Sequence, residues 1–367
     1  MVKRLKLTVK ILFVLLISFP SAHLVSFAAY PISTSADQAI LIEAESGRVL
    51  YEQNAHQEQK IASITKIMTA HLAVQHGNLD EMVKISPEAS VTEGSSLYLK
   101  AGQKVSLRDL VYGLLLRSGN DSAVAIAEHV GGSVEKFSDL MNEEAKRIGM
   151  KNSHFTNPHG LDLDNEHYSS SFDMALLTKE ALKDKQFAKI FGTKSHKGES
   201  VDPAPFWSNK HRLVTGMYPH ATGGKTGYTK LAGRTLVTSA KRDGMTLIVV
   251  TIRASNDWND HIQLFEYGFK NYHQTTILSP DTIPPLPGQN ENEFYTLTDP
   301  FRYPLTEKEQ GLLTIEGKIS HNHKKPPIVA VKLDDKVIHK QELIRELRKD
   351  PSSPGWFSRF IEKVSFW

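Results

Sequence analysis

Strand-like segments stand at both ends of one long region with helical segments between them, and that order leaves few folds open. At the near end, Ala39-Ile40-Leu41-Ile42 and Arg48-Val49-Leu50-Tyr51 flank the turn pair Ser46-Gly47, which predicts a hairpin. At the far end, the segments Arg234 to Ser239 and Met245 to Ile252 flank Arg242-Asp243-Gly244, a second turn signal. Between them, apolar residues recur at helical spacing from Ile61 to about Val74, from Leu107 to Val130 and from Val134 to Ile148. Gly131-Gly132 and Gly149 end two of these stretches, and a last helix is expected from about Asp257 to Asn271. Strands so far apart can share a sheet only by non-local pairing. The expected class is therefore α/β in the α+β sense, an antiparallel sheet with a helical cluster packed on it.

The chain of 367 residues is long enough, at roughly 100 to 200 residues per domain, for one large domain and a smaller one. After Tyr272 the composition shifts to Ser279-Pro280, Pro284-Pro285 and Pro287-Gly288, and short alternating segments follow at Leu312 to Ile319 and Ile328 to Leu333. A small β domain over 274–349 is expected there, after a main domain over 29–273. Both ends read as targeting segments. Met1 to Lys10 carries Lys3, Arg4, Lys6 and Lys10, then comes the apolar run Ile11 to Phe19 and the small-x-small Ser26-Phe27-Ala28, so residues 1–28 are expected to be a signal peptide. The apolar run is shorter than the roughly 20 residues of a spanning helix. At the other end, over 350–367, Trp356, Phe357, Phe360, Ile361, Val364 and Trp367 share one helical face opposite Ser358, Arg359, Glu362 and Lys363. That pattern predicts an interfacial membrane anchor, the alternative being a helix docked on the β domain. An exported, extracytoplasmic protein attached peripherally to the outer face of the membrane is the expectation.

Removing the four leading basic residues takes the formal charge from +3 to −1, which leaves no basic footprint for nucleic acid. The absence of cysteine excludes disulfides, thiolate metal sites and a cysteine nucleophile, so stability must come from core burial. Sixteen histidines occur without an HExxH pattern, and His321 and His323 lie in a Lys/Pro-rich stretch that reads as a solvated loop. No metal and no cofactor is expected.

Chemistry concentrates in three motifs in a fixed order: Ser63-Ile64-Thr65-Lys66, Ser118-Gly119-Asn120 and Lys225-Thr226-Gly227. Each alone is weak; Ser133-Val134-Glu135-Lys136 repeats the first by chance, as a helix-starting serine before solvated charges. The ordered set is the signature of class A β-lactamases and penicillin-binding proteins. If Ser63 starts a helix, Lys66 lies one turn along the same face with its amine near the hydroxyl. A serine hydroxyl needs a base, and lysine serves only when burial and a nearby cation, here Lys225, depress its pKa. Backbone N–H groups at the helix start would face the developing oxyanion. Taken alone, the pair reads equally well as a capped helix with an exposed lysine. Ser118-Gly119-Asn120 reads as a turn with a helix cap or as a proton relay at Ser118 and an amide contact at Asn120. Gly223-Gly224-Lys225-Thr226-Gly227-Tyr228 enters the late strands, where glycines mark close approach by a ligand or chain. An edge strand there can pair with an extended peptide, with Lys225 and Thr226 taking its terminal carboxylate and the Tyr228 N–H completing an oxyanion hole with that of Ser63.

With these residues in view, the chain resembles the low-molecular-mass D-alanyl-D-alanine carboxypeptidases of the S11 peptidase family, and among them the sporulation-associated members of Bacillus-type bacteria. The resemblance covers Ala39 through Tyr272 and is carried by Ile61 to Thr69, Leu116 to Asp121, Asn157-Pro158-His159-Gly160-Leu161 and Gly224 to Thr229. It implies a DD-peptidase/β-lactamase-like fold, Ser63 as acyl-enzyme nucleophile, Lys66 as proton acceptor, Ser118 as catalytic partner and Lys225 as a substrate-binding residue. It further implies removal of the terminal D-alanine from peptidoglycan stem peptides and acylation by β-lactam antibiotics, with Arg253 near the end of the late strands helping to bind the carboxylate. His159 is read as a loop-stabilising residue. Two rivals are a β-lactamase, whose deacylating glutamate would have to be Glu166 although its context lacks ExxLN, and a wall-binding or penicillin-sensing protein without turnover.

Overall fold

The computed structural model describes residues 32–280, 293–319 and 326–347, with 283, 286 and 289. The expected signal peptide at 1–28 and anchor at 350–367 lie outside the described residues. Strands β1 (Ala36–Glu43) and β2 (Val49–Gln53) form the first hairpin. The helices α1 (Lys66–His76), α2 (Leu107–Arg117), α3 (Asn120–Gly131), α4 (Val134–Ile148), α5 (Ser171–Ala181) and α6 (Lys185–Phe191) follow. Then come β3 (Ala221–Thr229), β4 (Gly233–Arg242), β5 (Met245–Ala254) and α7 (Asp257–Asn271).

The late strands complete the sheet begun by the first. Its order is β2-β1-β5-β4-β3, antiparallel throughout, with Ala36 opposite Ala254 and Glu43 opposite Leu247. This is the non-local pairing expected from the strand order. Asp243 and Gly244, with φ of 49° and 81°, make the left-handed turn that a tight β4–β5 hairpin requires. Ile40, Ile42, Ile248, Val250 and Ile252 face the helical cluster and are fully buried in its core. The alternate residues Leu41 and Leu247 meet α7 on the other face, so the central strands are apolar on both sides.

Local signals set the helix ends. Ser106, Ser133 and Ser170 accept N–H bonds at the starts of α2, α4 and α5, and Gly149, at φ 90°, terminates α4. Ser133 is thus a cap, as read from the sequence. The stretch Leu107 to Val130 is two helices, broken where Ser118 takes φ 66°, ψ 34° and ends α2.

Beyond α7, β6 (His273–Leu278) pairs with β8 (Phe301–Leu305), and β7 (Glu293–Thr296) with β12 (Ile344–Leu347). A three-stranded sheet comprises β9 (Leu313–Lys318), β10 (Ile328–Leu333) and β11 (Lys336–Glu342). These strands enclose their own apolar cluster, including Leu278, Leu305, Val329 and Val331. Two of the strands match the alternating segments seen in the sequence; β6, ahead of the prolines, was not anticipated. Arg48 ties the region to β2 by donating to the Pro304 carbonyl and pairing with Glu309, its guanidinium 5.2 Å and 5.0 Å from the rings of Tyr272 and Tyr303.

Gly268 lets α7 sit directly on the sheet, since an added Cβ would lie 2.7 Å from Leu247 Cδ1 and 3.0 Å from Leu41 Cδ2. Gly268→Val should lift α7 and lower stability by about 1–3 kcal/mol, read as a shift of the urea midpoint. An unchanged midpoint would contradict this packing.

Candidate active site

Ser63 lies in a 3-10 turn, Ala62–Thr65, that runs directly into α1. Residues three apart share a face, so Lys66 Nζ reaches Ser63 Oγ at 3.0 Å. Two other acceptors complete its surroundings: Asn120 Oδ1 and the His159 carbonyl oxygen, each at 2.7 Å. Asn120 is held in that orientation because its Nδ2 donates to the Glu93 carbonyl at 2.5 Å. A neutral amine has two N–H bonds and one lone pair. The amide and carbonyl oxygens can only accept, so they take both N–H bonds and leave the lone pair for the Ser63 hydroxyl.

The second motif enters through the break between α2 and α3. Its left-handed backbone carries Ser118 to the Lys225 amine, which donates to Ser118 Oγ at 3.0 Å and to the Thr226 carbonyl at 2.6 Å. Lys225 comes from β3, the edge strand of the sheet. β3 passes across the turn that carries Ser63: an added Cβ on Gly227 would lie 2.9 Å from Ser63 N and 3.1 Å from Ile64 N. Only glycine fits between the strand and those N–H groups.

Burial sets the electrostatics. Lys66 is wholly enclosed, and desolvation, then the charges of Lys225 and Lys210, hold its amine well below the ordinary lysine range. Among the described residues no carboxylate is hydrogen-bonded to it, so as an ammonium it would be a buried cation without a hydrogen-bonded counter-ion there. Lys225 is pushed down to about 7 by burial, with the Lys210 charge adding to it. His159 closes its own loop by accepting the Leu161 N–H on Nδ1 at 3.1 Å, while its carbonyl serves Lys66.

Ser63, Ser118, Thr226, Gly227 and Tyr228 open onto a cleft of about 570 Å³. Profile comparison matches residues 25–256, more than half of the chain, to the Peptidase S11 family, D-alanyl-D-alanine carboxypeptidase. The chain belongs to the S11 carboxypeptidase family. It is 37% identical over 246 residues to the D-alanyl-D-alanine carboxypeptidase DacF of Bacillus subtilis, a match spanning 65% of this chain and 63% of that protein's length. It is 33% identical over 330 residues to DacC of Escherichia coli, covering 78% and 81%. The fold superposes on penicillin binding protein 5 of Haemophilus influenzae with a TM-score of 0.72 and 27% identity, covering 87% of this chain and 98% of that one.

Other walls of this S11 cleft carry no motif. Ser95, Lys210, Arg234, Thr235, Asp257 and Trp258 also line it, and none was singled out from the sequence. Arg234 is paired with Asp257 at 2.6 Å and lies 5.8 Å from the Trp258 ring. Arg253 requires correction. It does not line the cleft; its guanidinium donates to the Leu231 carbonyl and pairs with Asp37 at 3.2 Å. The sheet order explains this: Arg234 is opposite Tyr228 on the strand next to β3, and Arg253 is one strand farther away. Glu166 is also absent from the cleft lining.

Neutralising Lys210 tests the electrostatics. A positive neighbour favours the free amine of Lys66, so its removal raises the pKa, and acylation, which needs that free amine, then begins at higher pH. Lys210→Met should move the acid limb of the acylation rate profile upward, and by less at high salt. An unmoved limb at low salt would contradict the arrangement.

Proposed function

We propose that the chain is a serine D-alanyl-D-alanine carboxypeptidase that removes the terminal D-alanine from peptidoglycan stem peptides and is acylated at Ser63 by β-lactams. The observation that carries this reading is the enclosure of Lys66 by two fixed acceptors and the Ser63 hydroxyl. In the forward step the Ser63 proton passes to Lys66 Nζ as Oγ bonds to the carbonyl carbon of the penultimate D-alanine. The N–H groups of Ser63 and Tyr228 hold the oxyanion. Collapse breaks the carbon–nitrogen bond, and the proton reaches the leaving amine through Ser118, which already contacts Lys225. Water then attacks the ester with Lys66 as base, freeing the shortened peptide and Ser63.

Asn120 holds the substrate amide, and Lys225 and Thr226 bind the terminal carboxylate. β3, whose outer edge has no strand partner among the described residues, supplies backbone pairing for the extended peptide, and Lys210 adds positive charge at the same wall. The cleft geometry favours Arg234 over Arg253 as a contributor there.

The division into a catalytic domain over 29–273 and a small β domain over 274–349 is supported by the separate apolar cluster of the latter strands. Among the described residues no helix is long and apolar enough to cross a membrane. The leader pattern at 1–28 and the amphipathic pattern at 350–367 support export and peripheral attachment to the outer face of the membrane. The resemblance to sporulation-associated S11 enzymes supports a role at that stage.

D-alanine release from a pentapeptide ending in D-alanyl-D-alanine tests the reading. Ser63→Ala should lower the rate by about 10³-fold or more. Release that persists without the Ser63 hydroxyl would overturn it.

A further inference from the structure

The residue just before Ser63 is strained. Ala62 is fully buried and has φ of 49°, a left-handed conformation that is unfavourable for a non-glycine residue and persists only where the surroundings impose it. That backbone sets where the Ser63 hydroxyl points, so whatever grips Ala62 also aims the nucleophile.

The grip is a directed chain of hydrogen bonds arriving from outside the three motifs. The Thr156 N–H lies 3.2 Å from His167 Nδ1; a backbone N–H can only donate, so Nδ1 is the accepting nitrogen. The ring proton then sits on Nε2, which is 2.9 Å from Thr65 Oγ1. Thr65 Oγ1, accepting there, spends its own proton on the Ala62 carbonyl at 2.8 Å. Each donor has one acceptor and the chain runs one way, from Thr156 to Ala62. His167 is 1% exposed and packed edge-on against Phe155, 5.7 Å between ring centroids, and burial keeps it neutral with its pKa near 3. Gly160 packs against the same carbonyl and the same hydroxyl: an added Cβ would lie 1.9 Å from Ala62 O and 2.7 Å from Thr65 Oγ1.

We propose that His167, acting through Thr65, is a positioning residue for the nucleophile: it fixes the Ala62 carbonyl and so holds the turn that aims Ser63 at the substrate carbonyl. The proposal rests on Ser63 being the nucleophile. A threonine that only fills space would matter to stability and leave the chemical step alone; one that aims the nucleophile matters to acylation, where small displacements of reacting atoms are costly.

The test is the acylation rate constant with a fluorescent penicillin, and kcat and KM for D-alanine release, in the full chain carrying Thr65→Val, which keeps the shape and loses the hydroxyl, or Thr65→Ser, which keeps the hydroxyl. Thr65→Val should lower the acylation rate constant and kcat by about tenfold or more with KM within about twofold, and Thr65→Ser should restore both to within about threefold of wild type. His167→Leu should match Thr65→Val, and the double variant should be no slower than the slower single one, because both cut the same chain. Should Thr65→Val fail to fold, His167→Leu and His167→Gln form the equivalent pair, without and with a donor to Oγ1. Folded Thr65→Val acylated at the wild-type rate, Thr65→Ser as slow as Thr65→Val, or additive losses in the double variant would overturn the proposal. The two failures are separable: a wild-type protein that gains no adduct on Ser63 sinks the assignment of Ser63, whereas a normal adduct formed equally fast in Thr65→Val sinks only the role of His167.

Discussion

A lysine amine sealed from solvent among oxygen acceptors is the constraint around which this molecule is arranged. Lys66 gains nothing from water and, among the described residues, hydrogen-bonds to no carboxylate, so its neutral form is the one the site accommodates. The three contacts come from three separate stretches of chain: its own turn, the start of α3 and the loop ahead of α5. Lys225, buried nearby on the edge strand, makes a cationic Lys66 still less favourable. Burial weighs most in lowering its basicity; a lysine left in water would keep its ordinary value and could not take a proton from serine near neutral pH.

Such a site weakens the fold that holds it. Lys225 falls to about 7 when folded against roughly 10.4 when exposed, so between those values the unfolded chain binds the extra proton and stability rises with pH through that window. At neutral pH both buried lysines therefore act against folding. The offset comes from a sheet buried on both faces, whose first strand is clasped by the last of the late strands, so the two chain regions carrying Ser63 and Lys225 cannot part without opening the core.

Much of this was legible in the residues. The remote strand pairs followed from alternation and turn signals, α7 from its periodicity, and the meetings of Ser63 with Lys66 and of Ser118 with Lys225 from motif order. What stayed hidden depends on three-dimensional proximity. Lys210, Trp258 and Ser95 reach the cleft from segments whose local pattern says nothing about direction. Two arginines stand near ends of adjacent strands, and only the sheet order distinguishes Arg234, beside β3, from Arg253, beyond it. Likewise nothing in the Thr65 or His167 contexts announces that the two side chains meet, because their hydrogen bond joins residues about a hundred positions apart. β6 escaped notice because the prolines just after it masked a short strand of mixed polarity.

The protonation state of Lys66 is the direct measure of the whole arrangement. In protein labelled with ¹⁵N and ¹³C on lysine, the Nζ and Cε shifts of Lys66, assigned by its loss in Lys66→Met, can be followed against pH. Conversion to the free amine well below the ordinary lysine value is the outcome that the enclosure of Lys66 requires. A Lys66 that stays an ammonium until near the ordinary lysine value of about 10.4 would contradict it and leave Ser63 without a base.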